Sequence, residues 1–399
     1  MGQLASLLLS PILTRIYSPD LFGVLGFFAA TVMILVVVAS LRYDMALPLA
    51  KSKEDAANLL GVCVGSLLLT TTILSLFIIL LPEDYSNYVF GALKPYIVLL
   101  PVGFFCVGAY QIMVSYATWH HSFAIIAKTK IYQGVSSPVS QIALGLMNTG
   151  SWGLIAGFII GNSAGLINMV SRLIIKPHDV IIHIKRESML ALAKRFSKFP
   201  LVSSWSALIS AVGSNNLLLV AVPIIYSNTV AGFIFLTDRI IGRPLLLIST
   251  SILQVYIGEA AKAQSTDPEI MRKRFLQITK NQFFIVSFWL AVINATASYF
   301  VPIVFGNEWS DAVIYIHILS IYYLPQMVMT PVAHTLQILE KQGVMAIWEF
   351  SRFIVILGGL VISYLQNYDP VQAILIYSIS QATMVTILLF TMYRAVQKL

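Results

Sequence analysis

Apolar residues in this chain fall into runs of about 20, and these runs restrict the folds open to it. A helix of that length spans roughly 30 Å, the thickness of the hydrocarbon layer of a membrane. Of the 399 residues, 58% are hydrophobic and 11% are charged, whereas soluble domains carry roughly 25% charged residues. A soluble fold could not cover so much apolar surface. The sequence therefore predicts an all-α polytopic membrane protein.

The order of the runs predicts twelve transmembrane helices in two groups of six. The first group is placed at 3–16, 21–41, 59–81, 95–117, 131–148 and 151–171, and the second at 201–224, 229–257, 283–304, 311–333, 346–365 and 370–393. This order predicts an N-terminal six-helix lobe over 1–174, a basic cytoplasmic linker over 175–200 and a C-terminal six-helix lobe over 201–399.

Lysines and arginines of the loops predict the orientation, because positively charged loops stay in the cytoplasm. With the N-terminus inside, one set of loops holds 21 basic residues, Arg352 counted among them, and the opposite set holds only Arg15 and Lys94. Both termini are therefore expected in the cytoplasm. The net charge of +8 is explained by this topology, and nucleic-acid binding is not predicted.

The first predicted helix is unusually short. From Gln3 to Ile16 it has 14 residues, or about 21 Å of helix, which is less than the hydrocarbon thickness. Two explanations stay open: the first helix is thinly anchored, or the natural start of the protein lies upstream.

The turn between the first two spans of each half has a similar sequence. Ile16-Tyr-Ser-Pro-Asp-Leu-Phe-Gly23 aligns with Ile225-Tyr-Ser-Asn-Thr-Val-Ala-Gly232, 209 residues later. Because each half has six spans, both copies begin on the same side of the membrane, so the repeat is parallel and predicts two lobes with pseudo-two-fold symmetry. Such halves commonly enclose a cavity and alternate its opening.

Several segments resemble one family of membrane proteins. They are Pro11-Ile-Leu-Thr-Arg-Ile-Tyr-Ser-Pro-Asp-Leu-Phe-Gly23, Arg42-Tyr-Asp-Met-Ala-Leu-Pro48, Glu54-Asp-Ala-Ala-Asn-Leu-Leu60, Asp238-Arg-Ile-Ile-Gly-Arg-Pro244 and Phe305-Gly-Asn-Glu-Trp-Ser-Asp-Ala312. The chain is similar to bacterial polysaccharide-biosynthesis proteins, the Wzx-type oligosaccharide-lipid flippases of the multidrug/oligosaccharidyl-lipid/polysaccharide exporter superfamily.

This resemblance implies a MATE-like fold and a transporter of the bacterial cytoplasmic (inner) membrane. The expected substrate is an undecaprenyl-diphosphate-linked oligosaccharide, such as an O-antigen, capsule or exopolysaccharide repeat unit, carried from the cytoplasmic to the outer leaflet. A polysaccharide polymerase and chain-length proteins are the expected protein partners. The family usually has more sequence before its Pro-Ile-Leu-Thr-Arg stretch, which agrees with a start upstream.

Three alternatives have their own sequence criteria. A multidrug antiporter of the same superfamily would favour organic cations and a carboxylate-rich cavity, against which the arginine excess argues. A membrane-embedded glycan polymerase or ligase is disfavoured by the short outer loops, so we do not expect an enzyme. A lipid II flippase similar to MurJ is a closer rival, although such proteins generally carry additional C-terminal spans.

Charges inside the eighth span are the main candidates for the substrate site. Asp238, Arg239 and Arg243 lie where a charge costs about 2.5–3.5 kcal/mol, so they should face protein or water. Arg239 lies about 15 Å from the outer end of the span. Arg239 and Arg243 are four residues apart, so they should share one helix face. A guanidinium pair suits a diphosphate, because its forks match phosphate oxygens. The alternative is a structural ion pair of one arginine with Asp238 or with Asp44.

Three further residues, Arg15, Arg42 and Asp44, complete the predicted site. Arg15 and Arg42 lie near the ends of the first two spans, where they either line the same cavity or extend as interfacial charges. Asp238 and Asp44 are the candidates for coupling transport to a proton or sodium gradient. No cofactor is predicted, because the loops have no phosphate-binding GxxxxGK[ST] motif, and no metal site is predicted. Glycines at every fourth position of the sixth span, Gly153, Gly157, Gly161 and Gly165, predict close helix packing.

Overall fold

The computed structural model describes residues 2–84, 90–174, 182–213, 215–266 and 268–398, which are helical without a strand. In chain order the helices are α1 Gly2–Leu8, α2 Ser10–Ile16, α3 Pro19–Leu35, α4 Lys53–Leu80, α5 Leu99–Trp119, α6 Phe123–Leu146, α7 Ser151–Leu173, α8 Arg186–Arg195, α9 Ser204–Val212, α10 Asn215–Ile225, α11 Asn228–Thr237, α12 Arg243–Thr266, α13 Pro268–Phe305, α14 Ala312–Met329, α15 Thr335–Ile338, α16 Gln342–Leu365 and α17 Pro370–Gln397. A π turn, Phe199–Ser203, precedes α9, and a second, Asp238–Gly242, joins α11 to α12.

Within the described residues, nine helical segments are long and apolar enough to cross a membrane. A tenth would be the pair α9 and α10, which is bent by 57° at its break. The predicted spans at 3–16 and 131–148 correspond to a shorter apolar helix, Ala5–Ile16, and to the 24-residue helix α6. Each of the twelve predicted segments thus falls on a helix or helix pair. The multi-pass membrane fold is confirmed, and the count of twelve spans is consistent with it.

By internal packing the described chain divides into two compact units, Met1–Gly232 and Phe233–Leu399. The division falls within α11. This packing criterion differs from the span order that defined the predicted lobes at 1–174 and 201–399 and the linker at 175–200. That lobe assignment stays a prediction, and residues 175–181 of the linker lie outside the described residues.

The glycine stripe on α7 brings this helix against α6 in the first unit. A Cβ atom at Gly157, Gly161 or Gly165 would lie 2.4 Å, 2.5 Å or 2.6 Å from the Gln141, Ser137 or Gln133 side chain. Such distances leave no room for any side chain. The predicted packing role of the stripe is therefore confirmed, and small residues allow the close approach as they commonly do between membrane helices.

The two repeated turns contact each other in the first unit. A Cβ atom at Gly23 would lie 1.8 Å from the Asn228 carbonyl oxygen, and one at Gly232 would lie 1.9 Å from the Pro19 carbonyl oxygen. In the alignment of the repeat, Pro19 corresponds to Asn228 and Gly23 to Gly232. Gly23 therefore contacts Asn228, and their repeat equivalents, Gly232 and Pro19, contact each other in the same way. A reciprocal contact of this kind is the mark of two-fold symmetry.

Polar contacts join the helices of the second unit. Ser249 of α12 donates to the Met327 carbonyl of α14 at 3.2 Å and accepts from Gln282 of α13 at 2.7 Å. Seven residues further along α12, the Tyr256 hydroxyl lies 2.8 Å from the hydroxyl of Thr335 on α15. These groups are buried, so the bonds satisfy polar atoms that would otherwise be costly inside the bundle.

Candidate functional site

The π turn Asp238–Gly242 widens the helix at the predicted site. Its backbone hydrogen bonds join residues five apart, as from the Arg243 amide to the Asp238 carbonyl. Pro244 follows at once, and proline disturbs the preceding helical turn because it lacks an amide hydrogen and crowds the carbonyl four residues earlier. Single π turns inside α-helices are frequent at functional sites. The local sequence thus gives a reason both for the irregular backbone and for its position.

Two side chains hold the Asp238 carboxylate in place. Arg243 Nε donates to Asp238 Oδ2 at 3.0 Å as an ion pair, and the Tyr323 hydroxyl donates to Oδ1 at 2.9 Å. Gly242 makes this approach possible, since a Cβ atom there would lie 2.5 Å from Asp238 Oδ1 and 3.0 Å from the Tyr323 hydroxyl oxygen. The Asp238 side chain is 19% exposed and that of Arg243 is 52% exposed. The carboxylate is fixed, while about half of the Arg243 side chain is accessible.

The π turn adds a contact that the α-helical spacing did not predict. Residues four apart are neighbours in an α-helix, which led us to expect Arg239 and Arg243 on one face. In the π turn, residues five apart also come together, and Arg243 pairs with Asp238. Arg239 lies over the Phe235 ring, with its Cζ 5.0 Å from the ring centroid, in a cation–π contact. The ion pair considered as the alternative for Arg243 is present, and anion binding by either arginine stays a prediction.

A third arginine lies in the same unit. Arg352 is ten residues beyond Gln342, the first residue of α16, or about 15 Å along the helix axis. Its Nε donates to Gln381 Oε1 at 2.8 Å, and its guanidinium lies over the Trp348 ring, 5.2 Å from the centroid. The loop census counted Arg352 on the cytoplasmic side of the membrane. The structure places Arg352 within α16, and the predicted span 346–365 also contains it, so Arg352 is not a loop residue.

Three tyrosines, Tyr322, Tyr323 and Tyr377, form a buried tyrosine cluster between these arginines. The ring centroids of Tyr322 and Tyr323 are 5.3 Å apart, and those of Tyr322 and Tyr377 are 6.3 Å apart. Gln381 Nε2 donates to the Tyr377 hydroxyl at 3.0 Å, and Arg352 also interacts with the Tyr322 hydroxyl. Polar and aromatic contacts therefore run from Arg243 through Asp238 and the tyrosine cluster to Arg352.

Sequence reasoning missed Tyr323, Arg352 and Gln381. Arg352 and Gln381 each lie within an otherwise apolar predicted span, and a lone polar or charged side chain in a span is by itself a functional signal. That signal was available for both residues. Tyr323 carried no such signal, because a tyrosine is common in membrane helices and its hydroxyl partner is 85 residues away in sequence.

Arg15, Arg42 and Asp44 belong to the first unit, and each is described within it. Arg15 is exposed in the last turn of α2. Arg42 follows Leu41, and both have left-handed backbones, with φ of 62° and 50°. Among the described residues the buried Nε of Arg42 has no hydrogen-bond partner. Asp44 is 8% exposed and accepts from Ser40 Oγ at 2.5 Å.

Backbone strain distinguishes Arg42 from the other predicted site residues. A left-handed conformation at a residue other than glycine costs on the order of 1–3 kcal/mol, and strain of this kind clusters at ligand sites and switch regions. The next residue, Tyr43, donates its hydroxyl to the Ala193 carbonyl at 3.1 Å, and burial raises the pKa of that hydroxyl. Tyr43 thus fixes the end of the strained segment as a neutral donor. Substrate binding by Arg15 and Arg42 stays a prediction.

The chemistry available in the second unit is cationic and aromatic. Guanidinium groups suit bidentate binding of phosphate or carboxylate oxygens. Throughout the part of the chain that the structure describes, no group of three or more His, Cys, Asp or Glu side chains could hold a metal ion. Guanidinium groups in this arrangement are chemically suited to pair with an anion.

Residues 12–314 match the family described as polysaccharide biosynthesis protein. This match covers more than half of the chain, and the protein belongs to that family. No curated protein matches the sequence.

Solved transporter structures share the fold. An inward-facing multidrug resistance MATE transporter of the MOP superfamily is 15% identical, with a TM-score of 0.73 over 99% of this chain and 96% of that one. The lipid II flippase MurJ in an inward closed conformation is 14% identical, with a TM-score of 0.74 over 98% of this chain and 86% of that one. A MOP superfamily transporter from Pyrococcus furiosus, described as having a binding pocket of reverse polarity, is 15% identical, with a TM-score of 0.60 over 99% and 92%. The MATE-like fold expected from the sequence is confirmed.

Proposed function

We propose that the protein is a flippase for undecaprenyl-diphosphate-linked oligosaccharides, moving them from the cytoplasmic to the outer leaflet by alternating access. The observation that supports this function most directly is a set of three arginines inside two spans of the second unit. Arg239 and Arg243 lie at the π turn, and Arg352 lies on α16. A charge at such a depth costs about 2.5–3.5 kcal/mol, so its presence favours a functional role. Membership of the polysaccharide-biosynthesis family favours a glycan-linked substrate, and we infer that the lipid diphosphate is the anionic group that these cations bind.

The polar headgroup would cross the membrane while the polyprenyl tail stays in the bilayer. Moving a diphosphate of charge about −2 outward runs with an inside-negative potential, at about 2.3 kcal/mol per charge per 100 mV. Asp238 and Asp44 are the candidates for coupling to protons or sodium. Localisation in a bacterial inner membrane with both termini in the cytoplasm, and association with a polymerase and chain-length proteins, belong to the same proposal.

A flipping assay in reconstituted vesicles tests the proposal with several defined undecaprenyl diphosphate glycans. The unmodified protein should move at least one glycan to the opposite leaflet, and Arg239→Ala should abolish this movement while the protein remains folded. Arg272→Ala is the matched control, because Arg272 is exposed near the start of α13 and lies outside the site. Substrate that stays in its starting leaflet for every glycan would contradict the flippase function, and full transport by Arg239→Ala would remove Arg239 from it.

The similarity to MurJ and to a multidrug resistance MATE transporter adds two further arms to the same assay. Vesicles loaded with lipid II test that substrate, and vesicles with a fluorescent organic cation test multidrug antiport. Movement of lipid II alone would favour the cell-wall precursor, and movement of the cation alone would favour the antiporter.

A further inference from the structure

Arg352 differs from Arg243 in what surrounds its charge. Arg243 has a carboxylate partner, Asp238, at 3.0 Å. The groups in contact with Arg352 are neutral: the amide oxygen of Gln381, the Tyr322 hydroxyl and the Trp348 ring. Glu349 is one turn earlier on α16, but the ion pairs formed among the described residues do not include Arg352. Within the described part of the chain, Arg352 at mid-helix depth therefore forms no ion pair with a carboxylate.

The neighbours of Arg352 fix its position without neutralising it. Gln381 is fully buried, and it is itself held by the Tyr377 hydroxyl, so its oxygen cannot swing away. Trp348 is 7% exposed, and its indole nitrogen donates to the Met384 carbonyl at 2.7 Å, which fixes the ring beneath the guanidinium. Arg352 is only partly buried. A held guanidinium with an accessible edge is suited to receive two oxygens of an anion.

From this geometry we propose that Arg352, positioned by Gln381 and Trp348, is a second anion-binding position, separate from the π turn. Its ligand is an anionic oxygen group of the substrate, either a phosphate of the lipid diphosphate or a carboxylate of an acidic sugar. The neutral partners leave the charge of Arg352 for the ligand, so binding there displaces no internal carboxylate. This inference rests on the proposed function for the identity of the substrate, but binding can be measured without transport.

Two variants remove the available charge by different means. Arg352→Gln deletes the guanidinium. Gln381→Glu keeps the guanidinium and places a carboxylate of nearly the same shape 2.8 Å from it, which gives Arg352 an internal counter-ion. The second variant should fold at least as well as the unmodified protein, because the Tyr377 hydroxyl can donate to the new carboxylate. Arg272→Gln is the control that loses one exposed arginine of the same unit.

Binding is measured on purified full-length protein in detergent with three probes. They are undecaprenyl diphosphate, the same lipid with a neutral disaccharide, and the same lipid with a disaccharide that contains a uronic acid. A charged hydrogen bond contributes about 1.5–3 kcal/mol, so both variants should raise the Kd about ten- to a hundredfold, and the control should not. A loss with all three probes identifies the diphosphate as the ligand, and a loss confined to the uronic acid identifies the sugar carboxylate.

An unchanged Kd for all probes in folded Arg352→Gln and Gln381→Glu would overturn the inference. Unmodified protein that binds none of the probes would overturn it as well. A protein that binds the lipids through Arg352 but does not flip them would contradict the proposed function and leave the binding position established. The two failures are therefore distinguishable.

Discussion

The reciprocal contact between the repeated turns makes a sharp steric prediction for Gly23→Ala and Gly232→Ala. A methyl group at Gly23 would lie 1.8 Å from the Asn228 carbonyl oxygen, whereas ordinary contact begins at 3.4 Å. The methyl group at Gly232 would lie 1.9 Å from the Pro19 carbonyl oxygen. Both obstacles are backbone atoms, so no side-chain rotation can relieve them. Helices α3 and α11 must separate by more than 1 Å at their crossing to admit either methyl group.

The size of the effect follows from two opposing contributions. Overpacking costs about 1–3 kcal/mol, and the backbone contact places these sites at the upper end of that range. An alanine in a helix otherwise gains about 0.5–1 kcal/mol over glycine. Each variant should therefore lose about 2 kcal/mol net of unfolding free energy, which corresponds to a Tm lower by roughly 4–8 °C for a unit of this size. The two losses should be similar because the contact is symmetric.

Thermal unfolding of the purified variants in detergent measures this effect. Gly65→Ala is the control: Gly65 is also inside a helix of the first unit, α4, and a Cβ atom there meets nothing within 4 Å. The control should unfold at the same temperature as the unmodified protein or slightly above it. The double variant should lose less than the sum of the single losses, because one methyl group already separates the helices. Single variants as stable as Gly65→Ala would refute the close crossing.

Two variants test the hydrogen bond from Tyr323 to Asp238. One removes the Tyr323 hydroxyl, and the other adds a methyl group at Gly242, where the two side chains approach. Tyr323→Phe removes a hydroxyl 2.9 Å from the carboxylate and should lower the unfolding free energy by about 1 kcal/mol, as typical hydrogen bonds do. Gly242→Ala should do at least as much, because its methyl group would displace the same carboxylate. Chemical or thermal unfolding measures both, with Tyr299→Phe as the control because Tyr299 is a 75% exposed tyrosine of α13 in the same unit. Stability equal to that control would show that the bond contributes nothing.

Hydropathy and repetition predict much of the fold because both act locally along the chain. Apolar runs of about 20 residues place the helices, since each run must satisfy its own backbone inside the membrane. The matching turns at Gly23 and Gly232 predicted the repeat, and their mutual contact is the tertiary form of that match. The short first span was also visible in the sequence, and the structure gives the apolar helix Ala5–Ile16 there.

The site was less predictable because its geometry depends on distant residues and on an irregular backbone. An α-helical spacing was assumed for Arg239 and Arg243, and it did not predict the contact of Asp238 with Arg243 that the π turn before Pro244 forms. Arg352 lies within the predicted span 346–365, yet it was counted with the basic residues of the cytoplasmic loops and so was not considered for the site. Its tethering to Gln381 joins α16 to α17, and no pattern local to either helix encodes that contact.

Asp238 and Gln381 each accept a hydrogen bond from an arginine, Asp238 with a charged carboxylate and Gln381 with a neutral amide, so exchanging their chemistry should move anion binding in opposite directions. Asp238 neutralises Arg243, so an incoming phosphate has to compete with a carboxylate at 3.0 Å. Asp238→Asn keeps the shape of the side chain and removes that competitor. Undecaprenyl diphosphate should then bind several-fold more tightly to purified protein, whereas Gln381→Glu should weaken the same binding. Arg243 is half-exposed, so losing its partner should cost no more than about 1 kcal/mol of stability, and Asp238→Asn should stay folded. Weaker binding by folded Asp238→Asn would show that Asp238 holds Arg243 in its binding position instead of competing for it.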